Sequence, residues 1–200
     1  MTAYSMPTNQ GFTDVQFYLE TNTQIFQSPI SNAIQRLTLD GARWVASYSL
    51  PAMTRDRAAP WIAFFRLLRG RVNTFYAYDP DCKNPRGAAG GTPLVAGGSQ
   101  TGYTLNIDGC TASALFLKAA DYFSVGGELN QVTADATASG GGAVTLALAR
   151  PFRSSPADNA AIVTATPTCE MILSSDSQSA FTCNINGIYM PKTFSAHEVF

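Results

Sequence analysis

Charged residues are scarce in this sequence. Only 14% of its 200 residues are Asp, Glu, Lys or Arg, against about 25% in an average globular domain. The net charge is −1, so no overall field attracts nucleic acid or an anionic membrane. Because 46% of the residues are hydrophobic, the composition predicts a sizeable core. The surface is then built largely from Thr, Ser, Ala and Gly, as in many rigid β-rich structural proteins.

Histidine occurs only once, and common catalytic motifs are missing. A Ser-His-Asp triad needs a histidine held in a pocket, whereas His197 lies beside Glu198 near the end of the sequence. We therefore expect His197 at the surface or at a subunit contact. The sequence contains no GxSxG, P-loop or HExxH motif. These absences predict that the protein is not an enzyme.

Acidic residues are the remaining candidates for catalysis. Asp79 and Asp81 form one pair, and Asp108 and Asp121 form a looser one. The tripeptide Asp79-Pro80-Asp81 first indicates a turn, in which Asp side chains bond to nearby backbone N–H groups. A glycosidase-like carboxylate pair that uses Asp79, Asp81 or Asp121 is an alternative that the sequence leaves open.

Cysteines are few and widely spaced, at positions 82, 110, 169 and 183. No two have the close spacing of a metal-ligand pair, so we expect neither a metal nor another cofactor. The segment 168–183 predicts a hairpin centred on Asp176, which would place Cys169 opposite Cys183. Two buried thiols are the favoured interpretation for a protein made in a cytoplasm. A cross-strand disulfide is the alternative.

Long apolar runs are absent as well. Residues 1–7 have neither a cationic start nor an apolar segment, so we expect no signal peptide. Arg66 and Arg69 interrupt the longest apolar stretches, which fall short of the ~20 residues that a membrane-spanning helix needs. We expect no membrane span, and folding in a cytoplasm.

Apolar and polar residues alternate along much of the chain. This period of two predicts short, half-buried strands separated by turns. Almost no helical pattern lies between them, which favours antiparallel sheets arranged as a sandwich or barrel. The main alternating segments are 15–19, 34–39, 44–50, 72–78, 103–107 and 144–148.

One amphipathic helix is the exception. Trp61, Phe64, Phe65 and Leu68 have the spacing of a single apolar stripe that faces a sheet. Thr54 is the candidate N-cap, with Asp56 in the first turn. Pro60 conflicts with a continuous helix from Thr54, so we expect a kink or a regular helix that begins near Pro60. Gly70 suits the left-handed position after the helix.

The composition changes twice along the chain. Between about residues 88 and 165 it is rich in Ala, Gly, Thr and Val, and aromatic strands return after Cys169. We therefore predict a discontinuous domain, 1–80 with 166–200, and an insert, 81–165. The predicted fold is mainly β: an antiparallel β-sandwich or split-barrel domain with one buttressing helix, plus a small inserted β-barrel-like domain.

Arginines cluster around the predicted helix. They are either a solvated helix face or a set of subunit contacts, because the planar guanidinium suits pairing with carboxylates and carbonyls. The candidate subunit-interface residues are Arg66, Arg69, Arg71 and Asn73.

Two segments resemble one protein family when they are taken in order. The first is ARWVASYSLPAMTRDRAAPWIAFFRLLRGRVNTFYAYDPD at 42–81, with its W-x-A-x-Y-x-L-P strand, W-x-A-F helix and L-R-G-R. The second, at 117–162, contains DYFSVGG, VTAD and RPFRSSP. Together they resemble the distal tail, or baseplate hub, proteins of long-tailed bacteriophages. Ala120 departs from the family pattern, in which glycine usually precedes the aspartate.

The resemblance implies a structural function. It implies a ring, commonly a hexamer, that joins the tail tube to the baseplate hub and lines the DNA channel at the tail tip of the virion. The implied partners are further copies of the chain, the tail tube protein, the hub protein, the tape-measure protein and side-fibre or receptor-binding proteins. Neither specific nucleic-acid binding nor a membrane span is implied.

A second class of function stays open. A monomeric carbohydrate- or host-surface-binding β module would use exposed aromatics, and the candidates are Tyr103, Tyr122 and Phe123. The simpler interpretation is that these three side chains fill the core of the insert.

Overall fold

The computed structural model describes residues 2–200, except for the side chain of Asp40. It is mainly β, with 43% of residues in strands and 9% in helices. The described part of the chain has one α-helix, and its sheets are antiparallel. These features confirm the predicted fold class. The described strands form open sheets and no closed barrel.

The elements follow one another with short connections. The helix α1 comprises Arg55–Leu68, and a short 3₁₀ helix comprises Asp176–Ser179. The strands are β1 (Ala3–Ser5), β2 (Asp14–Gln27), β3 (Ile34–Leu50), β4 (Thr74–Ala77), β5 (Gly91–Val95), β6 (Thr104–Cys110), β7 (Leu115–Leu117), β8 (Tyr122–Val125), β9 (Glu128–Gln131), β10 (Ala136–Thr137), β11 (Val144–Ala147), β12 (Cys169–Leu173) and β13 (Lys192–Glu198).

The chain divides into two compact units. The first contains the chain up to Phe75 together with Met171–Phe200, and the second is Tyr76–Glu170. The structure therefore changes unit at 75/76 and 170/171, where the sequence predicts 80/81 and 165/166. Nearly all of a six-stranded sheet, with strand order β1-β4-β12-β13-β3-β2, lies in the first unit.

The apolar stripe of α1 is buried in the first unit, as its spacing predicts. Trp61, Phe64, Phe65 and Leu68 are all buried. Phe194 of β13 contacts the Phe65 ring edge-on, with 5.1 Å between centroids, and lies 6.0 Å from Trp61. Buried aromatic contacts of this kind contribute more than their area alone. The helix therefore helps to fix one face of the sheet.

Of the two alternatives predicted for the helix, a regular helix that begins near Pro60 is wrong, and a kink stays a prediction. The helix begins at Arg55 and continues through Pro60, with Thr54 as the N-cap residue but without a side-chain capping bond. The Ala58 N–H donates to the Thr54 carbonyl at 3.0 Å, so the first turn forms before the proline. Proline lacks the N–H that would bond four residues back, and its ring crowds the carbonyl there; burial of the apolar stripe offsets this cost.

The end of α1 agrees with the glycine signal. Arg69 and Gly70 both have positive φ, at 50° and 69°. A side-chain carbon on Gly70 would lie 2.6 Å from an oxygen of Asp176. The left-handed conformation thus favours glycine here, and any other residue would also displace the Asp176 side chain.

The predicted hairpin at 168–183 is also wrong. Strand β12 pairs with β13, where Met171 faces Glu198, and the 3₁₀ helix follows it. Cys169 is buried whereas Cys183 is exposed and pairs with Tyr189, and no disulfide joins them. Period-two alternation identifies strands but not their partners. Here β12 pairs with the later strand β13 and not with the segment that ends at Cys183.

The second unit has its own core. Three small sheets, β11-β6-β5, β10-β7 and β8-β9, surround one apolar cluster. Its members include Phe116, Phe123, Phe152, Leu105, Ile107 and Leu146.

The helical segments of residues 2–200 are too short or too polar to span a lipid bilayer.

Candidate subunit interface

Strands β2 and β3 form a hairpin that extends beyond the packed part of the first unit. Seven residue pairs, from Asp14–Ser49 to Glu20–Arg43, form its root. After an irregularity, six further pairs, from Asn22–Leu39 to Gln27–Ile34, form its outer part. We call residues 22–39 the arm.

Burial changes abruptly between root and arm. In the root, Trp44 is only 1% exposed and stacks on Phe17 with 5.6 Å between ring centroids. In the arm, every residue is exposed except Ser28, which is half-buried. The two halves of one hairpin therefore have different surroundings.

The exposed side chains of the arm include many large apolar ones. Paired residues share a face of the ribbon, which places Phe26, Leu37 and Leu39 on one face. Ile25 and Ile34 lie on the other face together with Arg36, the only charged residue in the arm. Exposed fractions reach 62% at Ile25 and 94% at Ile30. Apolar exposure on both faces of a ribbon marks an interaction site more than a chance arrangement.

The edges of the arm are open too. Strand β2 is the last strand of the six-stranded sheet. On the other side, β13 pairs with β3 only between Val45 and Leu50. Within the described residues, neither strand of the arm therefore has a further strand beside it. Open edges attract other strands and are usually covered or blunted in soluble proteins.

The tip of the arm has a defined turn. The Ser28 N–H donates to the Ala33 carbonyl at 2.9 Å, and the Asn32 N–H donates to the Ser28 carbonyl at 3.0 Å. The Ser28 hydroxyl accepts from the N–H groups of Ile30 and Ser31. Asn32 adopts positive φ, 55°, a conformation that asparagine tolerates better than most residues. These bonds present the Ile30 side chain at the end of the ribbon.

The four predicted interface residues lie at the end of α1 and just after it, not on the arm. Arg66 and Arg69 are exposed. The Arg71 Nε donates to Asp176 at 3.3 Å. The Asn73 amide donates to the Leu67 carbonyl and its oxygen accepts from the Thr2 N–H. Arg71 and Asn73 thus have internal bonding roles, and the subunit contact stays a prediction for all four.

The acids around position 80 are engaged in turn formation. The Asp81 N–H donates to the Asp79 carboxylate at 3.1 Å, and the Cys82 N–H donates to the Asp79 carbonyl. Burial and the neighbouring Asp79 and Asp81 raise the pKa of Cys82 to about 11. Its thiol is therefore protonated at neutral pH, which does not favour a nucleophile.

The Asp121 side chain holds two loop segments of the second unit together through hydrogen bonds. Its buried carboxylate accepts backbone N–H bonds from Lys118 at 2.8 Å, Arg86 at 3.0 Å and Gly87 at 3.1 Å. Burial alone would raise the pKa of this carboxyl, but these bonds and the Arg86 guanidinium lower it below its usual value. A carboxylate held ionised in this way is unsuited to the role of general acid.

The aromatic platform of the alternative function does not form. Tyr122 and Phe123 are buried, whereas Tyr103 is 58% exposed. Phe123 belongs to the core of the second unit and contacts Phe152. Only one of the three rings is thus available at the surface for stacking on a sugar.

His197 lies on β13 between Val45 of β3 and Ile172 of β12. Burial, and then the nearby Arg43, lower its pKa. Among the described side chains, no group of three or more His, Cys, Asp or Glu residues is arranged to hold a metal ion.

Comparison with known proteins gives no family. No protein-family model matches the chain, and no curated protein matches it. The arm is therefore the feature on which a functional proposal must rest.

Proposed function

We propose that this chain is a structural subunit of a bacteriophage tail, a distal tail or baseplate component that forms a ring. The ring joins the tail tube to the baseplate hub and lines the DNA channel. Two observations support the proposal: the ordered resemblance of residues 42–81 and 117–162 to that family, and the exposed arm. The arm carries the argument, because it implies association whatever the family.

The edges of the arm suit a ring of identical copies. Its two strands have the same paired length, Asn22–Gln27 and Ile34–Leu39. In a ring, all arms point in the same direction. The β3 edge of one copy then lies antiparallel to the β2 edge of the next copy, so the ladder can continue from copy to copy. Such a contact joins two different surfaces, and heterologous contacts of this type form a ring when the rotation from copy to copy closes.

Energetics also favour association of the arms. A two-stranded hairpin alone is marginally stable in water. Pairing with neighbours would satisfy the edge N–H and C=O groups and would bring Phe26, Leu37 and Leu39 against side chains of the adjacent strands, which covers part of their surface. Each such side chain contributes about 1.5–3 kcal/mol when it is fully buried. Arg36 is the only charge in the arm, so repulsion between neighbouring arms is small.

The remaining parts of the proposal follow the family resemblance. The ring is a hexamer assembled in the host bacterial cytoplasm, and it resides at the tail tip of the virion. Its partners are the tail tube protein, the baseplate hub protein, the tape-measure protein and side-fibre or receptor-binding proteins. The second unit serves as a spacer or attachment platform. The role is mechanical, with no catalytic step and no cofactor.

Light scattering and electron microscopy of the purified chain test the proposal. We expect concentration-dependent association and ring-shaped particles. Leu37→Lys on the arm should abolish both, because a charge replaces an apolar side chain at the contact. Leu67→Lys on α1 is the matched control, since Leu67 is 49% and Leu37 50% exposed.

Three outcomes are informative. A chain that stays monomeric at high concentration, with tail tube protein added, would contradict the proposal. Loss of association in Leu67→Lys alone would move the interface to the end of α1, where Arg66, Arg69, Arg71 and Asn73 lie. Equal loss in both variants would show that the arm is not the specific contact.

A further inference from the structure

The ladder between β2 and β3 is interrupted at one place. Between the last pair of the root and the first pair of the arm, β2 has one residue, Thr21, and β3 has three, residues 40–42. This β-bulge leaves two additional residues on β3. Bulges bend a strand and take residues out of the ladder. This bulge lies at the boundary between the root, which has buried side chains, and the exposed arm.

The segments on both sides of the bulge are stabilised by side-chain contacts and strand pairing. On the root side, Trp44 stacks on Phe17, and the Arg43 guanidinium pairs with Glu20 at 2.7 Å. On the arm side, six consecutive residue pairs and the bonds of Ser28 hold the ribbon together. The discontinuity is thus confined to a few residues between two ordered bodies.

There is also space for movement at the bulge. A surface hollow of about 410 Å³ lies there, and it is lined by Glu20, Thr21, Asn22, Gly41, Arg43 and Phe200. Gly41 has a φ of 115°, and a side-chain carbon added to it would meet only the Asn22 amide, at 3.8 Å. Glycine crosses regions of backbone conformation that other residues avoid. Gly41 therefore has no side chain of its own to restrict backbone rotation at the bulge.

From these observations we infer that the bulge is a hinge about which the arm turns as a rigid ribbon relative to the root. Hinges are commonly a few residues at an element boundary that absorb large changes in φ and ψ. The isolated chain samples a range of arm directions, and association with a neighbouring copy selects one of them. The use of the hinge in assembly rests on the proposed function, whereas the motion itself does not.

Pulsed electron paramagnetic resonance on the full chain measures this motion. Spin labels are attached to Gln16→Cys in the root and Ser31→Cys at the tip, at a dilution that keeps the chain monomeric. Cys82 and Cys183, which are not buried, are replaced by serine. We expect a broad distance distribution for the root–tip pair. A second pair within the arm, Gln24→Cys and Ser31→Cys, is the control and should give a narrow distribution.

A variant that lacks residues 40 and 41 tests whether the bulge causes the broad root–tip distance distribution. Without the two additional residues, the ladder runs on from root to arm, and the root–tip distribution should narrow at least twofold. A broad distribution that persists in the folded deletion variant would place the motion elsewhere and overturn the inference.

The root–tip distance distribution of the parent chain, which keeps the bulge, decides the matter even if the deletion variant does not fold. A single narrow root–tip distribution in the parent chain would overturn the hinge. If that chain still forms rings, the hinge fails and the proposed function stands. If the distribution is broad but the chain never associates, the hinge stands and the proposed function fails.

Discussion

The arm and the loops of the second unit are both surface segments, but they differ in the hydrogen bonds that hold them. In the second unit, Gln100 lies with its amide nitrogen 3.0 Å from the carbonyls of Ala96, Gly97 and Asn106, and its oxygen accepts from the Asn106 N–H at 2.6 Å. Asp121 fastens a second connection with three backbone bonds. At the arm tip, the hydroxyls of Ser28 and Ser31 accept from backbone N–H groups two or three residues further along the chain.

The comparison shows that exposure of the arm is not a general feature of this chain. The sequence supplies amides and carboxylates that anchor loops where anchoring is needed. It supplies Ile, Leu and Phe at the arm, where polar side chains would have kept the ribbon soluble. Stability therefore resides in the root and in the second unit, and the arm is available for contacts. The following predictions test this division in order of decreasing effect on the free energy of unfolding.

The largest effect is expected at the root. Trp44→Ala removes a side chain that is 1% exposed and leaves a cavity beside Phe17. The free energy of unfolding should fall by about 4 kcal/mol. Urea titration followed by circular dichroism measures the loss. Tyr18→Ala is the control, because Tyr18 is 50% exposed. Similar losses in the two variants would contradict the idea that the root is the stable part.

Asp121→Asn should have the second largest effect. The amide keeps one acceptor oxygen but loses the charge that strengthens three backbone bonds, so we expect a loss of about 2 kcal/mol at pH 7. Hydrogen exchange of backbone amides within residues 76–170 measures this loss of stability. Asp158→Asn is the milder control, since its carboxylate accepts one backbone bond, from the Gly97 N–H at 2.8 Å, among the described residues.

The same carboxylate predicts a pH dependence. The pKa of Asp121 is lowered in the folded protein, so its contribution is complete above about pH 4, the pKa of an unperturbed Asp. The contribution is lost as the pH falls through the lower folded value. Asp121→Asn should lack this part of the acid destabilisation. An unchanged acid profile in the variant would assign the effect to other carboxyls.

Gln100→Ala should cost less. Several backbone groups lose a neutral partner but gain access to water, and we expect a loss of about 1 kcal/mol. Gln24→Ala, on the arm, provides a residue-matched comparison and should change stability by less than about 0.5 kcal/mol. Thermal unfolding of both variants gives the difference. A larger loss for Gln24 than for Gln100 would reverse the comparison.

The smallest effect on stability is expected at the tip. Ile30 is 94% exposed, so Ile30→Ser should leave the free energy of unfolding within about 0.5 kcal/mol of the parent value. Association should nevertheless weaken if the tip meets a neighbour. Sedimentation velocity at several concentrations separates the two properties. A substantial loss of stability would show that the tip contributes to the fold of the single chain.

The core was predictable from the sequence to a large extent. The 3.6-residue stripe of Trp61, Phe64, Phe65 and Leu68 identifies a buried helix face, and period-two alternation identifies the strands. These patterns depend on contacts within one element and on which face is apolar. Thr54 was predicted correctly as the N-cap position, whereas the alternative start near Pro60 was wrong because packing of the apolar stripe outweighs the lost bond and the crowding at the proline.

Partners and exposure were harder to predict. The alternation at Ile34, Leu37 and Leu39 predicts a half-buried strand, yet these residues are exposed. Pattern alone does not show whether an apolar face lies on its own core or on another molecule. Two signals were present: β3 has 17 residues, far above the usual strand length of about 5–6, and polar residues follow Leu19 in β2. The pairing of β12 with β13 was missed because it joins distant segments.

The two strands at the bulge have different consequences for the faces of the arm. Side chains alternate between faces along a strand, and Thr21 is the single residue of β2 between root and arm, so β2 keeps its alternation through the bulge. Leu39, which pairs with Asn22, therefore lies on the same face as Arg43, which pairs with Glu20. One residue inserted beside Thr21 would instead present Ile34 and Arg36 where Leu37 and Leu39 now lie, whereas a different number of additional residues on β3 changes only the bulge. Length changes at this site are therefore expected to be tolerated on β3 and not on β2.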